Sequence, residues 1–249
     1  MLEQIVLSDY EALSEYAAER LVERLREEPS TLLCLAAGST PNRTYELLAQ
    51  RGRAEPALFE KCRLLKLDEW GGLAMDDPAT CDTQLRTALV RPLGMSDRYI
   101  AFNSQPQNPD AECQRIAVWL KENGPIDTCV LGLGMNGHLG FNEPAGWLQP
   151  HAHVARLSES SLAHSMLRQS AARPAYGLTL GMADLLQSRQ VLLLVSGAAK
   201  RLPLELLLRG GITTDFPASL LHLHPNVTLI CDEAATWLGR AASLAKPRF

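Results

Sequence analysis

Short, largely apolar runs alternate along the chain with helical stretches, and no other feature of the sequence limits the fold as strongly. Thr31–Ala36, Cys62–Leu67, Asp127–Leu131, Gln190–Val195 and Asn226–Cys231 are of strand length and rich in Leu, Val, Ile and Cys. A strand solvated on one face alternates apolar with polar residues; runs without that alternation are buried on both faces, as in parallel sheets. Arg98–Phe102, His153–Leu157 and Tyr176–Leu180 are further strand candidates. Between them, Ser8–Glu28 carries Leu13, Tyr16, Ala17, Leu21 and Leu25 on one stripe, the pattern of an amphipathic helix. Asn42–Arg51, Thr80–Val90, Pro109–Lys121, Ser158–Arg168, a stretch from Ser196 to near Arg209, and Glu233–Ala242 also read as helical. The 249 residues suffice for a large core, and no linker or repeat divides them. The expected fold is α/β: one domain over 1–249, with a mostly parallel, doubly wound, Rossmann-like sheet and helices on both faces.

Ligands of such sheets sit beyond the carboxyl ends of the strands. Four strand ends carry polar or glycine-rich clusters: Gly38-Ser39-Thr40, Asp68-Glu69, the loop from Asn136 to Glu143, and Ser196 to Lys200. The third lies in Leu131-Gly132-Leu133-Gly134-Met135-Asn136-Gly137-His138-Leu139-Gly140-Phe141-Asn142-Glu143-Pro144. Its glycines let the backbone turn sharply, and its His, carboxylate and amides can move protons and hold hydroxyls. Gly132, Gly134 and Gly137 form a literal G-x-G-x-x-G. However, Gly140, Pro144, Gly146 and Pro150 follow instead of a helix, so the dinucleotide-binding reading fails on context. Gly38-Ser39-Thr40-Pro41 has the residues of a helix start, with Ser39 or Thr40 at the N-cap and Pro41 at the first helical position. Such a start offers N–H groups and hydroxyls to an anion, but lacks the Lys and spacing of a nucleotide-triphosphate loop. Ser196 to Lys200 repeats the arrangement and adds a cation. Together the two suit one phosphomonoester. Asp68 and Glu69 are adjacent on an extended chain, so at most one enters a site there.

The run GLGMNGHLGFNEP resembles the signature of glucosamine-6-phosphate deaminases and the related galactosamine-6-phosphate isomerases, a group within a wider family that includes 6-phosphogluconolactonases. The Asn142-Glu143-Pro144 ending is closer to the amino-sugar branch than to the lactonase branch. The glucosamine-type enzymes usually carry Asp just before the Gly-His pair; this chain has Asn136, which is common in the galactosamine type. The resemblance covers most of the chain, from the Gly38 loop to Pro225. It implies an enzyme that isomerises and deaminates an amino-sugar 6-phosphate, with galactosamine 6-phosphate preferred over glucosamine 6-phosphate. It implies Gly38, Ser39, Thr40 and Lys200 at the phosphate, Asp68 as the base for carbon-proton transfer, and Glu69 as structural. His138 then opens the sugar ring, Glu143 holds its tautomer, and Asn136 can bond a hydroxyl or the imidazole but cannot accept a proton. No metal or organic cofactor is implied. Arg168 is a weaker candidate cation, and His222 and His224 read as packing or capping residues.

Composition narrows the remaining classes. A net charge of −4 argues against a sequence-independent hold on nucleic acid. No apolar run approaches the roughly 18 residues of a membrane span, and the N-terminus has no signal pattern. Cys34, Cys62, Cys81, Cys113, Cys129 and Cys231 show no C-x-x-C spacing, which suits buried thiols in a reducing compartment, the cytoplasm. The expected partner is a small sugar phosphate. Subunit number is not set by the sequence, and a homo-oligomer stays open. Two rival functions remain: a 6-phosphogluconolactonase-type hydrolase and a non-catalytic sugar-phosphate binder.

Overall fold

Parallel strands that bury both faces feed two separate apolar layers, and the fold follows from that division. The computed structural model describes residues 2–236. In chain order these form β1 (Glu3–Leu7), α1 (Tyr10–Glu27), β2 (Leu32–Leu35), α2 (Ser39–Ala54), β3 (Arg63–Lys66), β4 (Asp68–Gly71), α3 (Cys81–Leu85), β5 (Tyr99–Ile100), α4 (Pro109–Asn123) and β6 (Thr128–Gly132). Then come β7 (His153–Ala155), α5 (Glu159–Leu162), β8 (Tyr176–Thr179), α6 (Met182–Leu186), β9 (Gln190–Val195), α7 (Arg201–Leu208) and β10 (Val227–Asp232). Seven strands make a parallel sheet in the order β1-β10-β9-β6-β2-β3-β5.

Within β2, Leu33 and Leu35 turn to one face and pack with Leu13, Leu21 and Leu25 of α1 and Tyr45 and Leu48 of α2. Leu32 and Cys34 turn to the other, with Ile116 of α4, Leu185 of α6 and Leu204 and Leu207 of α7. This is the period-2 alternation of a strand, apolar on both sides because both sides are covered. Truncating one of these fully buried leucines to Ala would cost roughly 2–5 kcal/mol.

The structure departs from expectation in several places. β1 is a strand the sequence does not announce, because it lies at the sheet edge and its Glu3, Gln4 and Val6 face solvent. The expected strands His153–Leu157 and Tyr176–Leu180 do not join the parallel sheet. As β7 and β8 they join β4 in a second, antiparallel three-stranded sheet, in the order β4-β8-β7, over Trp70, Leu73 and Phe141. Helix Thr80–Val90 is α3 followed by a π-helical turn over Arg86–Val90. Ser158–Arg168 breaks into α5 and a 3-10 turn, Ser165–Gln169. Serine side chains that bond nearby backbone compete with a continuous helix there. Of the expected helix Glu233–Ala242, residues Glu233–Ala235 form a 3-10 turn, and the part from residue 237 lies outside the described residues.

The strand order also places the ligand region. From β2 the chain winds outward through β3 to β5. From β6 it winds the opposite way through β9 to β10, so the direction reverses between β2 and β6. Open sheets bind their ligands at that switch point. The four clusters predicted from sequence follow β2, β3, β6 and β9, and these are four consecutive strands of the sheet.

Candidate active site

Beyond these strand ends lies a cleft open to solvent, whose walls include Gly38, Ser39, Thr40, Asp68, His138 and Lys200. At one end, α2 opens directly at Ser39. Gly38 is the N-cap and no side chain caps the helix, so the start falls earlier than the expected Pro41. The N–H groups of Ser39 and Thr40 therefore have no intrahelical partner. Gln84 fixes the turn, accepting the Gly38 N–H at 2.8 Å and donating back to the Gly38 carbonyl at 3.0 Å. Lys200 reaches the cleft with its ammonium donating to the Leu133 carbonyl at 2.6 Å, and burial lowers its pKa. The second expected helix start differs from the first. Ser196 Oγ and the Gly197 N–H both donate to Asp232, and α7 begins only at Arg201, after a 3-10 turn. Of that cluster, Lys200 alone faces the cleft.

Asp68 and Glu69 point apart, as adjacent residues of β4 must. Glu69 is fully buried. Its carboxylate accepts from Lys66 Nζ at 2.5 Å and from the N–H groups of Trp70, Cys81 and Asp82 at 2.7, 2.9 and 2.9 Å. That pairing ties β4 to β3 and to the start of α3, and removing either buried charge would leave the other unpaired at a cost of roughly 3–5 kcal/mol. Asp68 is 9% exposed and lines the cleft, and its Oδ1 has no hydrogen-bond partner among the described residues. Burial, and then the charge of Glu69, push its pKa up to about 7, against the smaller pull of Lys66 and a Cys81 hydrogen bond.

The glycine-rich loop after β6 brings His138 to the same cleft. Gly134 is required by contact, since a Cβ there would meet the imidazole Cδ2 at 2.4 Å. Gly140, at φ +58°, folds the loop back so that Glu143 comes behind the ring. Glu143 Oε2 lies 3.4 Å from His138 Nδ1 and accepts from Asn136 Nδ2 at 2.8 Å, while Asn136 Oδ1 accepts the His138 N–H at 3.3 Å. Ser158 Oγ, at 2.9 Å, and Ser161 Oγ donate to Oε1. Burial alone would raise the Glu143 pKa. The contacts with His138, Ser161 and Asn136 outweigh it and hold the carboxyl near 2. Asn136 and Glu143 thus stand behind His138 and are not among the residues lining the cleft. Asn142 is spent on the fold, donating to the Leu139 and Leu180 carbonyls at 2.9 Å each.

Residues that the sequence did not single out complete the walls. Trp70 and Phe141 pack with ring centroids 4.5 Å apart, and Ser160, Ser161, His164 and Met166 close one side. From sequence their stretch reads as part of one helix, Ser158–Arg168, in which Arg168 alone is a site candidate. Arg168 does not line the cleft. His222 and His224 bond the Leu207 and Ser188 carbonyls at 2.8 and 2.7 Å. Among the described residues, no three His, Cys, Asp or Glu gather as a metal set. The cleft can therefore offer an anion-holding end, a buried carboxylate with a free oxygen, and an imidazole backed by a fixed anion.

Known proteins resemble this chain over most of its length. AgaI of Escherichia coli (strain K12), which carries a provisional name as a deaminase, is 40% identical over 221 residues, 88% of each chain. Glucosamine-6-phosphate deaminase 1 of Bacillus subtilis (strain 168) is 35% identical over 92% of this chain and 96% of its own. The solved structure of a monomeric glucosamine-6-phosphate deaminase superposes with a TM-score of 0.89 at 34% identity, covering 94% of this chain and 98% of that one. The family profile for glucosamine-6-phosphate isomerases/6-phosphogluconolactonase matches residues 8–230, and the chain belongs to that family.

Proposed function

We propose that the chain is an amino-sugar-6-phosphate isomerase/deaminase. The observation that carries this reading is Asp68: a nine-tenths buried carboxylate with a free oxygen, in one cleft with His138 and with the α2 start and Lys200. The phosphate is held by the Ser39 and Thr40 N–H groups and hydroxyls and by the Lys200 ammonium. His138 moves a proton between the ring oxygen and the anomeric hydroxyl, and Glu143 stabilises the imidazolium. Asp68 takes the C2 proton of the open chain and returns it to C1 through an enol-type intermediate. Its pKa of about 7 suits a base that must both accept and give at neutral pH. Water then adds to the C2 imine and ammonia leaves, giving a ketohexose 6-phosphate.

Galactosamine 6-phosphate, yielding tagatose 6-phosphate, is put ahead of glucosamine 6-phosphate. That preference rests on Asn136 and the sequence resemblance, since Asn136 is not among the residues lining the cleft. The test is ammonia release from both sugars, with deuterium incorporation at C1 from heavy water. Hydrolysis of a 6-phosphogluconolactone with no ammonia from any hexosamine phosphate would overturn the reading in favour of a lactonase.

A further inference from the structure

Glu143 leaves the Gly140 turn as a single side chain, and its position is set by two elements distant in sequence. One oxygen belongs to the loop: Oε2 receives Asn136 Nδ2 at 2.8 Å and faces His138 Nδ1 at 3.4 Å. The other belongs to the turn that opens α5. Oε1 receives Ser161 Oγ, Ser158 Oγ at 2.9 Å and the Ser158 N–H at 3.3 Å. A carboxylate has about four lone-pair directions, and these donors fill them. We propose that Ser158 and Ser161 are positioning residues for the ring-opening step, holding Glu143 as a fixed anion so that its second oxygen stays beside His138. This rests on the role given above to His138 and Glu143.

The turn that supplies these hydroxyls also supplies Ser160, Ser161, His164 and Met166 to the cleft wall, so the group that orients the imidazole is anchored to a surface the substrate meets. Glu143 also lines a second groove on the far side, with Trp147 and Arg156. Without the two hydroxyls it is free to turn toward that groove and away from His138.

A purely structural role is the competing account, because Ser158 Oγ also caps α5 by accepting the Ser161 N–H at 3.1 Å. Two variants separate the accounts. Ser158→Asp keeps an N-cap acceptor but sets a negative charge against Glu143. Ser161→Ala removes a donor that has no capping duty. Each is measured on an amino-sugar 6-phosphate and on its 4,5-dideoxy analogue, which lacks the hydroxyls that close the six- and five-membered rings. Loss of a hydrogen bond to a charged group should lower kcat on the cyclic substrate by roughly ten- to a hundredfold, with KM unchanged. The 4,5-dideoxy analogue should keep its parental rate, and Ser161→Thr should restore the cyclic substrate. Equal losses on both substrates, or no loss on either, would overturn the positioning role. Glu143→Gln serves as the reference: parental turnover of cyclic substrate in that variant would sink the ring-opening reading itself, whereas an impaired Glu143→Gln beside unimpaired serine variants would sink only the clamp.

Discussion

Asp68 should weaken the fold it serves, and Asp68→Asn should strengthen that fold while removing isomerisation. The rise in pKa from 3.8 to about 7, caused first by burial, corresponds to about 4 kcal/mol once the carboxyl is ionised in both folded and unfolded chains. Because the folded value lies above the unfolded one, the folded state binds more protons between about pH 4 and pH 7. Stability from this group therefore falls as pH rises through that window and is level above it. At pH 5, a little over one unit past the unfolded value, less than half of the penalty has developed. An amide has no charge to desolvate. The variant should exceed the parent by up to about 4 kcal/mol at pH 8 and by less than half of that at pH 5. For a chain of this length, the larger gain is a Tm increase of roughly 8–16 °C. Thermal unfolding of both proteins at the two pH values measures it, alongside exchange of the C2 proton into solvent. A variant no more stable than the parent at pH 8, or a gain identical at both values, would refute the account of a carboxylate ionised against its surroundings.

Other outcomes follow from the same geometry. Lys200→Ala should raise KM for the phosphorylated sugar by roughly ten- to a hundredfold, the loss of one charge-assisted contact, and an unchanged KM would remove Lys200 from the phosphate end. Asn136→Asp would replace the donor 2.8 Å from Glu143 Oε2 with a second carboxylate. The two anions can coexist at that distance only by sharing a proton, so the ratio of variant to parental turnover should rise as pH falls from about 8 to about 5. A ratio at or above one at pH 8 would show that Glu143 needs no donor there. Gly134→Ala would drive a methyl group into the His138 ring, and turnover should fall steeply while the unfolding midpoint moves little; full activity would show that the imidazole position is not fixed by this contact.

The parts of the fold that a reader of the sequence could see are those whose burial is written locally. β2, β6, β9 and β10 are covered on both faces, so their apolar runs are continuous and bounded by turn residues. β4 is the opposite case. Asp68-Glu69-Trp70-Gly71 reads as the polar end of the Cys62–Leu67 strand and becomes a strand of its own only through Tyr176–Thr179, more than a hundred residues later. The same distinction divides the cleft. Gly38, Asp68, His138 and Lys200 stand at strand ends, where chemistry is expected before any contact is known. Ser158, Ser161 and His164 sit in a stretch that reads as an ordinary helix, and their place is fixed by Glu143 and by the cleft wall. Ser196 was misread as an open helix start because its partner, Asp232, ends the strand beside it in the sheet.

The strand order also sets a timetable for a chain emerging from the ribosome. β2, β3, β5 and β6 are contiguous in the sheet and are all made by residue 132, so they can assemble early. β1 is made first yet pairs only with β10, Glu3 opposite Thr228 through Leu7 opposite Asp232. At synthesis rates of about 5–20 residues per second, it waits roughly 10–45 s for its partner. Throughout the interval before β9 arrives, the buried strand Thr128–Gly132 forms one margin of a half-built sheet, with its backbone groups unpaired on that side. Nascent chains halted between residues 132 and 190 should therefore be the species most prone to associate with one another, and the ones most in need of a chaperone.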